Sequence, residues 1–272
     1  SYLKKQTTSE LLYPMKYSLL PGGKKIRSKI LIDVGRIFNL SYRSLIKVGA
    51  AVECIHAYSL IHDDLPCMDN DNLRRGKLSA HKKFGESTAI LAGNSLLTAA
   101  FEILSQTSLK LKYKTKVKLV NLISESSGHD GIAGGQYLDL NYERKKISLN
   151  KIIKMQIKKT GKLFSFCCVA PIIISEKFNY IKKFDKIGCD IGLLFQIADD
   201  LIDHSGNSKK VGKRTNKDLK KGKATLISIL GNKNTIKYGF KLKSNIFRRL
   251  DIFGNKADDL RNTINYILER SK

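Results

Sequence analysis

Apolar residues recur at helical spacing almost from one end of this sequence to the other, and that periodicity leaves few architectures open. Leu45–Leu60, Thr88–Leu104, Val117–Ser124, Ile152–Ile174, Phe184–Ile202 and Leu260–Leu268 each carry apolar side chains at i, i+3, i+4 and i+7, the pattern of helices with one buried face. None of these runs is flanked by the Asn-Gly or Asp-Gly pairs that mark hairpins. The spacing predicts an all-α fold. Breaks at Pro21-Gly22-Gly23, Leu65-Pro66, Gly134-Gly135, Gly206 and Gly231 divide it into about ten helices joined by short loops.

A chain of 272 residues with 42% hydrophobic content can bury a sizeable core without disulfides or a structural metal. Four prolines and no Gly/Ser-rich or repetitive tract mark no linker, so residues 1–272 are expected to form a single domain. The longest nearly apolar run, Leu163–Ile174, contains Ser165 and Pro171 and falls well short of the roughly 20 residues a membrane span needs. A soluble globular protein without integral membrane contact is therefore expected. The five cysteines form no C-x-x-C or Cys/His zinc pattern, and reduced, buried thiols fit a cytosol-like compartment. The expected location is the cytoplasm; because the sequence starts at Ser1, a plastid or another organelle stays open.

The net charge of +26, from 50 Lys and Arg against 24 acids, invites a polyanion-binding reading. The lysines, however, are scattered along the whole chain and do not alternate with aromatics that could stack on bases. A solvated basic surface accounts for them better, and no nucleic-acid partner is expected.

The acids are placed quite differently. Seven of the sixteen aspartates fall in two short windows, Asp63, Asp64, Asp69 and Asp71 in one and Asp199, Asp200 and Asp203 in the other. Like charges so close repel one another, which a bound cation relieves. Gln196, Asp199, Asp200 and Asp203 stand at i, i+3, i+4 and i+7 and share one helix face. In the first window His56 and Asp63, seven residues apart, share a face, and Pro66 forces Leu65 out of helical geometry, freeing the chain to bring Asp69 back toward Asp63. Such hard oxygen donors favour Mg²⁺ or Mn²⁺ over zinc, and Mg²⁺ is ordinarily held by one or two carboxylates with substrate phosphates completing its shell. Basic stations complement them: Gly22-Gly23-Lys24-Lys25-Ile26-Arg27 leads cations into a helix start, and Arg74-Arg75, Lys159-Thr160-Gly161, Gly212-Lys213 and Gly222-Lys223 follow. Together they suit a diphosphate.

Asp63-Asp64-Leu65-Pro66-Cys67-Met68-Asp69 with Arg74-Arg75-Gly76 resembles the first aspartate-rich motif of the trans-isoprenyl diphosphate synthases (trans-prenyltransferases), and Phe195-Gln196-Ile197-Ala198-Asp199-Asp200-Leu201-Ile202-Asp203 resembles the second. Gly22-Gly23-Lys24 with Arg27, His81 to Glu86, Leu91-Ala92-Gly93, Gly134-Gly135-Gln136 and Lys159-Thr160-Gly161 follow in that family's order, from about Thr8 to the C-terminus. The segment from Ala51 to Arg75 is most similar to the bacterial farnesyl diphosphate synthases. The resemblance implies a helical bundle around a central apolar cavity, a homodimer, and Mg²⁺-dependent condensation of isopentenyl diphosphate with an allylic diphosphate. It implies that Asp63, Asp69 and Asp199 ligand about three Mg²⁺ ions, with Mn²⁺ as an alternative, while Asp64, Asp200 and Asp203 orient them or act through water. Arg74, Lys159, Thr160, Gln196, Lys213 and Lys223 would hold the allylic substrate, and Lys159, Thr160 and Gln196 would also stabilise the cation. Lys24, Arg27, His56 and Arg75 would hold isopentenyl diphosphate.

Product length points to the helix before Asp63, where Ser59 lies more nearly beneath that residue and Tyr58 is the larger side chain. Helical geometry does not choose between them; the resemblance favours Tyr58 and a C15 product, with geranylgeranyl or another chain length as the alternative. Lys25, Ser28, Asn72 and Asn94 depart from the family pattern, in which Arg, Pro, Asp and Asp are usual. Three other readings are a class I terpene cyclase, whose second metal site usually mixes Asn, Ser and Glu; an inactive regulatory subunit, expected to lose one acidic cluster; and a polyanion-binding helical protein. The all-Asp second window and the intact pair of windows weigh against the first two.

Overall fold

The computed structural model describes residues 9–20, 22–205 and 225–269. Twelve α-helices follow one another among them: α1 Leu12–Leu19, α2 Ile26–Ile37, α3 Tyr42–Asp63, α4 Ala80–Phe84, α5 Glu86–Ser105, α6 Tyr113–Ser127, α7 Ile132–Tyr142, α8 Leu149–Gln156, α9 Lys162–Ile174, α10 Ile181–Ser205, α11 Leu226–Leu250 and α12 Asp258–Glu269. A π-helical turn, Ile157–Gly161, joins α8 to α9 without a break. The helical periodicity of Ile152–Ile174 is thus one continuous element, and the all-α expectation holds.

α9 forms the axis. Leu163 to Ile173 are all buried, as expected of a helix that is apolar all round. It packs against α2, α6 and α10, while α3 packs on α2 and α5, and α10 on α11. Phe164, Phe166 and Phe184 are among the largest fully buried side chains of the resulting core. The two helices that carry the aspartate windows, α3 and α10, are thereby held on either side of α2 and α9. By length and composition α3 and α5 could each cross a bilayer; α3 is instead a core helix with a buried Glu53 near its middle.

Gly134-Gly135 does not end a helix as expected but lies inside α7. A Cβ at Gly135 would overlap the backbone of Lys159, so this glycine serves close helix approach rather than a turn. The break at Gly231 is a kink with φ +74° within α11, and Gly206 lies outside the described residues. A small hairpin pairs β1 Leu73–Arg74 with β2 Lys77–Leu78. Its turn residues, Arg75 and Gly76, both have positive φ, a requirement of the tight hairpin turn that Arg-Gly met without the usual Asn or Asp.

Candidate active site

The first aspartate window begins where α3 ends. Pro66 stops the helix, and the backbone then folds back on itself: Asp69 N donates to Asp63 O at 2.8 Å, Asn70 N to Leu65 O at 3.0 Å and Asp71 N to Asp64 O at 3.2 Å. Asp69 is thereby returned to Asp63, as the position of Pro66 suggested. Asp64 turns away and is buried, receiving Arg74 Nε at 3.1 and 3.0 Å on its two oxygens and Arg74 Nη2 as well. Arg74 also faces Asp71 at 3.7 Å. Its guanidinium braces the loop from behind.

Asp63 is partly exposed in the cleft, and its pKa is pushed up to about 6. Burial is the main cause; Lys159 opposes it, and the neighbouring Asp69 and Asp64 carboxylates add to it. A carboxylate held at such cost in a cluster of its own kind suits a cation. Among the described residues no three Asp, Glu, His or Cys side chains converge on one point. Mg²⁺ ordinarily takes one or two carboxylates from a protein and its remaining oxygens from a ligand or water.

The facing wall is built by the π turn and α10. The π turn carries Lys159 and Thr160, and such single turns are frequent at functional sites because the extra residue re-aims its neighbours. Lys159 Nζ donates to the buried Asp139 of α7 at 2.6 Å while its charge reaches Asp63. Thr160 Oγ1 donates to Gln196 Oε1 at 3.3 Å, and Gln196 Nε2 donates to Asp200 Oδ1 at 2.9 Å. This relay fixes the Gln196 amide and occupies the buried Asp200. Asp199 and Asp203, on the same face of α10, are partly exposed.

A cluster of cations lies beside these residues, with Arg27 within electrostatic reach of Asp199. Gly22 and Gly23 take positive φ, as does Lys25, and turn the chain into α2. The Arg75 guanidinium lies against Gly23, where a Cβ would press on it at 2.9 Å, and Arg75 Nη1 donates to Gly22 O at 3.0 Å. Arg27 stacks over Phe164 and Phe195, at 4.7 and 5.3 Å from the ring centroids, and its Nη1 donates to His56 Nε2 at 3.3 Å. That bond requires the neutral imidazole. Burial lowers the His56 pKa well below its usual value, with Arg27, Arg75, Lys25 and Arg74 adding to the effect. Burial likewise lowers the pKa of Arg27, against the pull of Glu53, Cys167 and Asp199. Lys24 is exposed, its Nζ 4.5 Å above the ring of Tyr266.

Glu53, from the middle of α3, was not singled out by sequence reasoning. It accepts from Ser28 N at 3.3 Å and Ser28 Oγ at 2.9 Å and faces Lys25 at 3.4 Å, so it caps the start of α2. The two departures Lys25 and Ser28 are thus used to anchor the turn. Asp139, the partner of Lys159, was also missed; the only sequence signal for either acid was its setting among apolar neighbours.

Tyr58 is half-buried on α3 with its ring edge-on to His62 at 5.1 Å. Ser59 is buried, and its Oγ is turned back onto His56 O at 3.0 Å. Asn72 is exposed, and the exposed Asn94 lines a groove between α1 and α5 with Met15 and Leu91. Lys213 and Lys223 lie outside the described residues.

Two groups of carboxylates, an ammonium and an amide relay between them and a basic end have the chemistry to hold a diphosphate ester together with divalent cations. The description of a polyprenyl synthetase matches residues 8–263 of the chain. The farnesyl diphosphate synthase of Micrococcus luteus is 40% identical over 97% of this chain and 90% of its own length. Among solved structures, an FPP/GFPP synthase from Zymomonas mobilis superimposes with a TM-score of 0.88 at 38% identity, covering 97% of this chain and 92% of that one. A geranyltransferase from Helicobacter pylori, complexed with magnesium and isoprenyl diphosphate, gives 0.86 at 30% identity over 98% and 92%. The chain belongs to the polyprenyl synthetase family. It is a prenyltransferase that elongates prenyl chains, with the all-α fold of the isoprenoid synthases.

Proposed function

We propose that the cleft condenses isopentenyl diphosphate with dimethylallyl and then geranyl diphosphate, releasing farnesyl diphosphate. The observation that carries this reading is the proximity of both aspartate windows and the basic turn: Lys159 acts on Asp63, Arg27 feels Asp199, and Arg27 touches His56.

Asp63 and Asp69 on one side and Asp199 on the other would hold about three Mg²⁺ ions, with Mn²⁺ able to substitute. Asp64 and Asp200, each already occupied by a hydrogen-bonded neighbour, would orient the walls, and Asp203 would act through water. Held by these carboxylates, Mg²⁺ would supply the positive charge that a departing diphosphate needs. Lys159 adds positive charge on the same side, and Lys213 and Lys223 complete the allylic set by resemblance. Arg74, spent largely on Asp64 and Asp71, would hold the allylic diphosphate through the loop that it braces.

Lys24, Arg27 and Arg75 would grip isopentenyl diphosphate at the basic end, and His56 would keep Arg27 aimed. In the reaction the allylic C1–O bond breaks and its electron pair leaves with the diphosphate. The double bond of isopentenyl diphosphate closes on C1 to form the new carbon–carbon bond, and a proton passes from its C2 to the departing diphosphate. Thr160 and Gln196 present oriented dipoles to the transient cation, and the apolar core, including Phe164 and Phe195, keeps water from it. No protein nucleophile takes part.

The C15 limit is assigned to Tyr58. Its ring lies edge-on to His62, whose ring meets Ile90 O of α5 at 3.2 Å, whereas Ser59 is small and turned onto its own backbone. We further propose a homodimer through exposed apolar residues of α5 and α6, among them Ile90, Leu91, Tyr113 and Val117, a single domain, and a cytoplasmic protein without nucleic-acid or integral-membrane partners. The five free cysteines support a reducing compartment.

Chromatography of products from labelled isopentenyl diphosphate and geranyl diphosphate in Mg²⁺ tests the reading. Wild type should stop at C15, and Tyr58→Ala should extend to C20 and beyond. An active Tyr58→Ala enzyme that still stops at C15 places the floor elsewhere, and a wild type that passes C15 favours the longer-chain alternative.

A further inference from the structure

The lysines of this chain are scattered, but the acids that accompany them elsewhere disappear over one stretch. Residues 219–250 hold no Asp or Glu, where an even spread of the 24 acids over 272 positions would put about three. Most of that stretch is α11, which carries Lys233, Lys237, Lys241, Lys243, Arg248 and Arg249. The other long helices, α3, α5 and α10, each include acids. Among the described residues only Arg249 of these six cations has an acid partner, Asp190 at 2.9 Å.

The same helix leaves apolar side chains outside. After the kink at Gly231 its buried residues, Thr235, Gly239, Leu242, Ile246 and Leu250, form the face toward the core, and α11 packs on α8, α10 and α12. At about 100° per residue, Lys243, Ile236, Phe247, Phe240 and Lys233 follow one another across an adjoining arc of about 80°. Ile236 is 40% and Phe240 49% exposed, and Lys243 Nζ lies 5.2 Å over the ring of Phe247. Beyond Lys233 the surface continues with Lys237, Arg248 and Lys241, all exposed. An apolar strip edged by cations suits a lipid interface, where the apolar side chains reach the acyl boundary and the cations stay among anionic headgroups.

We propose that α11 docks the enzyme peripherally on an anionic lipid surface. Charge complementarity selects that occupant. A second copy of this chain would set the same acid-free face, on a chain of net charge +26, against itself across a twofold contact, with like charges opposed. The phosphates of a nucleic acid would pair with the cations but leave Ile236 without a partner, whereas a bilayer surface takes up both kinds of side chain. Six cations exclude spanning, so the helix lies along the surface. Prenyl diphosphates are themselves amphiphiles with an anionic head, and docking holds the enzyme at the phase that takes them up.

Cosedimentation at physiological salt with vesicles of phosphatidylcholine, alone or mixed with phosphatidylglycerol, tests the proposal. Wild type should bind the mixed vesicles and not the zwitterionic ones. Because a net charge of +26 attracts any anionic surface, the deciding variant leaves charge unchanged. Ile236→Ser combined with Phe240→Ser should lower the partition coefficient at least about tenfold through lost apolar burial, with kcat on soluble substrates within about twofold of wild type. Wild-type partitioning in that variant overturns the proposal, since diffuse attraction then accounts for the binding; so does a wild type that ignores the mixed vesicles. If the two serines lower the urea midpoint, Lys237→Glu with Lys241→Glu decides instead, and retained vesicle binding overturns the docking assignment. A single-stranded RNA that binds wild type and loses affinity in the serine variant, while mixed vesicles do not bind, assigns the face to nucleic acid and overturns the lipid reading.

Discussion

His56 and Asp63 stand about two turns apart on one face of α3, and the protein shifts them in opposite senses. At the C-terminal end of the helix, burial with Asp69 and Asp64 nearby pushes Asp63 up to about 6. Two turns earlier, burial with Arg27, Arg75, Lys25 and Arg74 nearby holds His56 well below its usual value. Burial is the main cause in both, while the carboxylates gather around one group and the cations around the other. The acid end has Lys159 and Arg74 as partial relief, and the basic end has Glu53, buried and shared between Lys25 and Ser28. What remains unbalanced is complementary to a ligand: divalent cations at one end, a diphosphate at the other. On the proposed assignment, the difference in sign along one helix would sort the two substrates.

The largest effects expected from breaking this arrangement are on rate. Asp199→Ala should lower kcat by about 10²–10³-fold with little change in the KM for isopentenyl diphosphate, because its wall serves the leaving group. Arg27→Ala should do the converse, raising that KM about tenfold or more through the lost charge-assisted contact. Steady-state kinetics in both substrates checks the split; an Arg27→Ala enzyme with unchanged isopentenyl kinetics would dissolve the distinction between the two ends.

A smaller effect sharpens the basic side alone. The folded protein keeps His56 neutral while the unfolded chain protonates it below its ordinary pKa near 6.5. The unfolded state then binds more protons, so stability is lost as pH falls through that value. Compared with His56→Gln, the wild type should lose stability from pH 7 to pH 5, by at most about 1.4 kcal/mol per pH unit below 6.5. Urea unfolding of both proteins across this range measures it, and parallel curves would mean that His56 is protonated in the fold.

Much of this cleft was legible in the sequence because its parts are local. The face of Gln196, Asp199, Asp200 and Asp203 follows from helical spacing, and the return of Asp69 to Asp63 follows from one proline. What was not legible depends on neighbours remote in the chain. Gly134-Gly135 reads as a break because the same residue permits both a turn and a close approach, and only the Lys159 backbone against Gly135 decides. Arg75-Gly76 gave no hairpin signal of the usual kind, yet both residues adopt positive φ. Glu53 and Asp139 are single acids whose importance lies in the partners that they meet, 25 and 20 residues away along the chain at Ser28 and Lys159. Arg74, expected on the substrate, also bonds Asp64, a partner that its spacing did not announce.

The most direct test of the central claim is calorimetric titration of a thiolo analogue of geranyl diphosphate, whose C–S bond resists ionisation, with Mg²⁺ and then with EDTA. Two carboxylate walls that act only through a shared cation-bound diphosphate predict tight binding in Mg²⁺. They also predict a loss of at least about a hundredfold in EDTA, and a comparable loss in Asp69→Ala and in Asp199→Ala although these residues lie on opposite walls. Equal affinity in EDTA, or wild-type affinity in either variant, would contradict it.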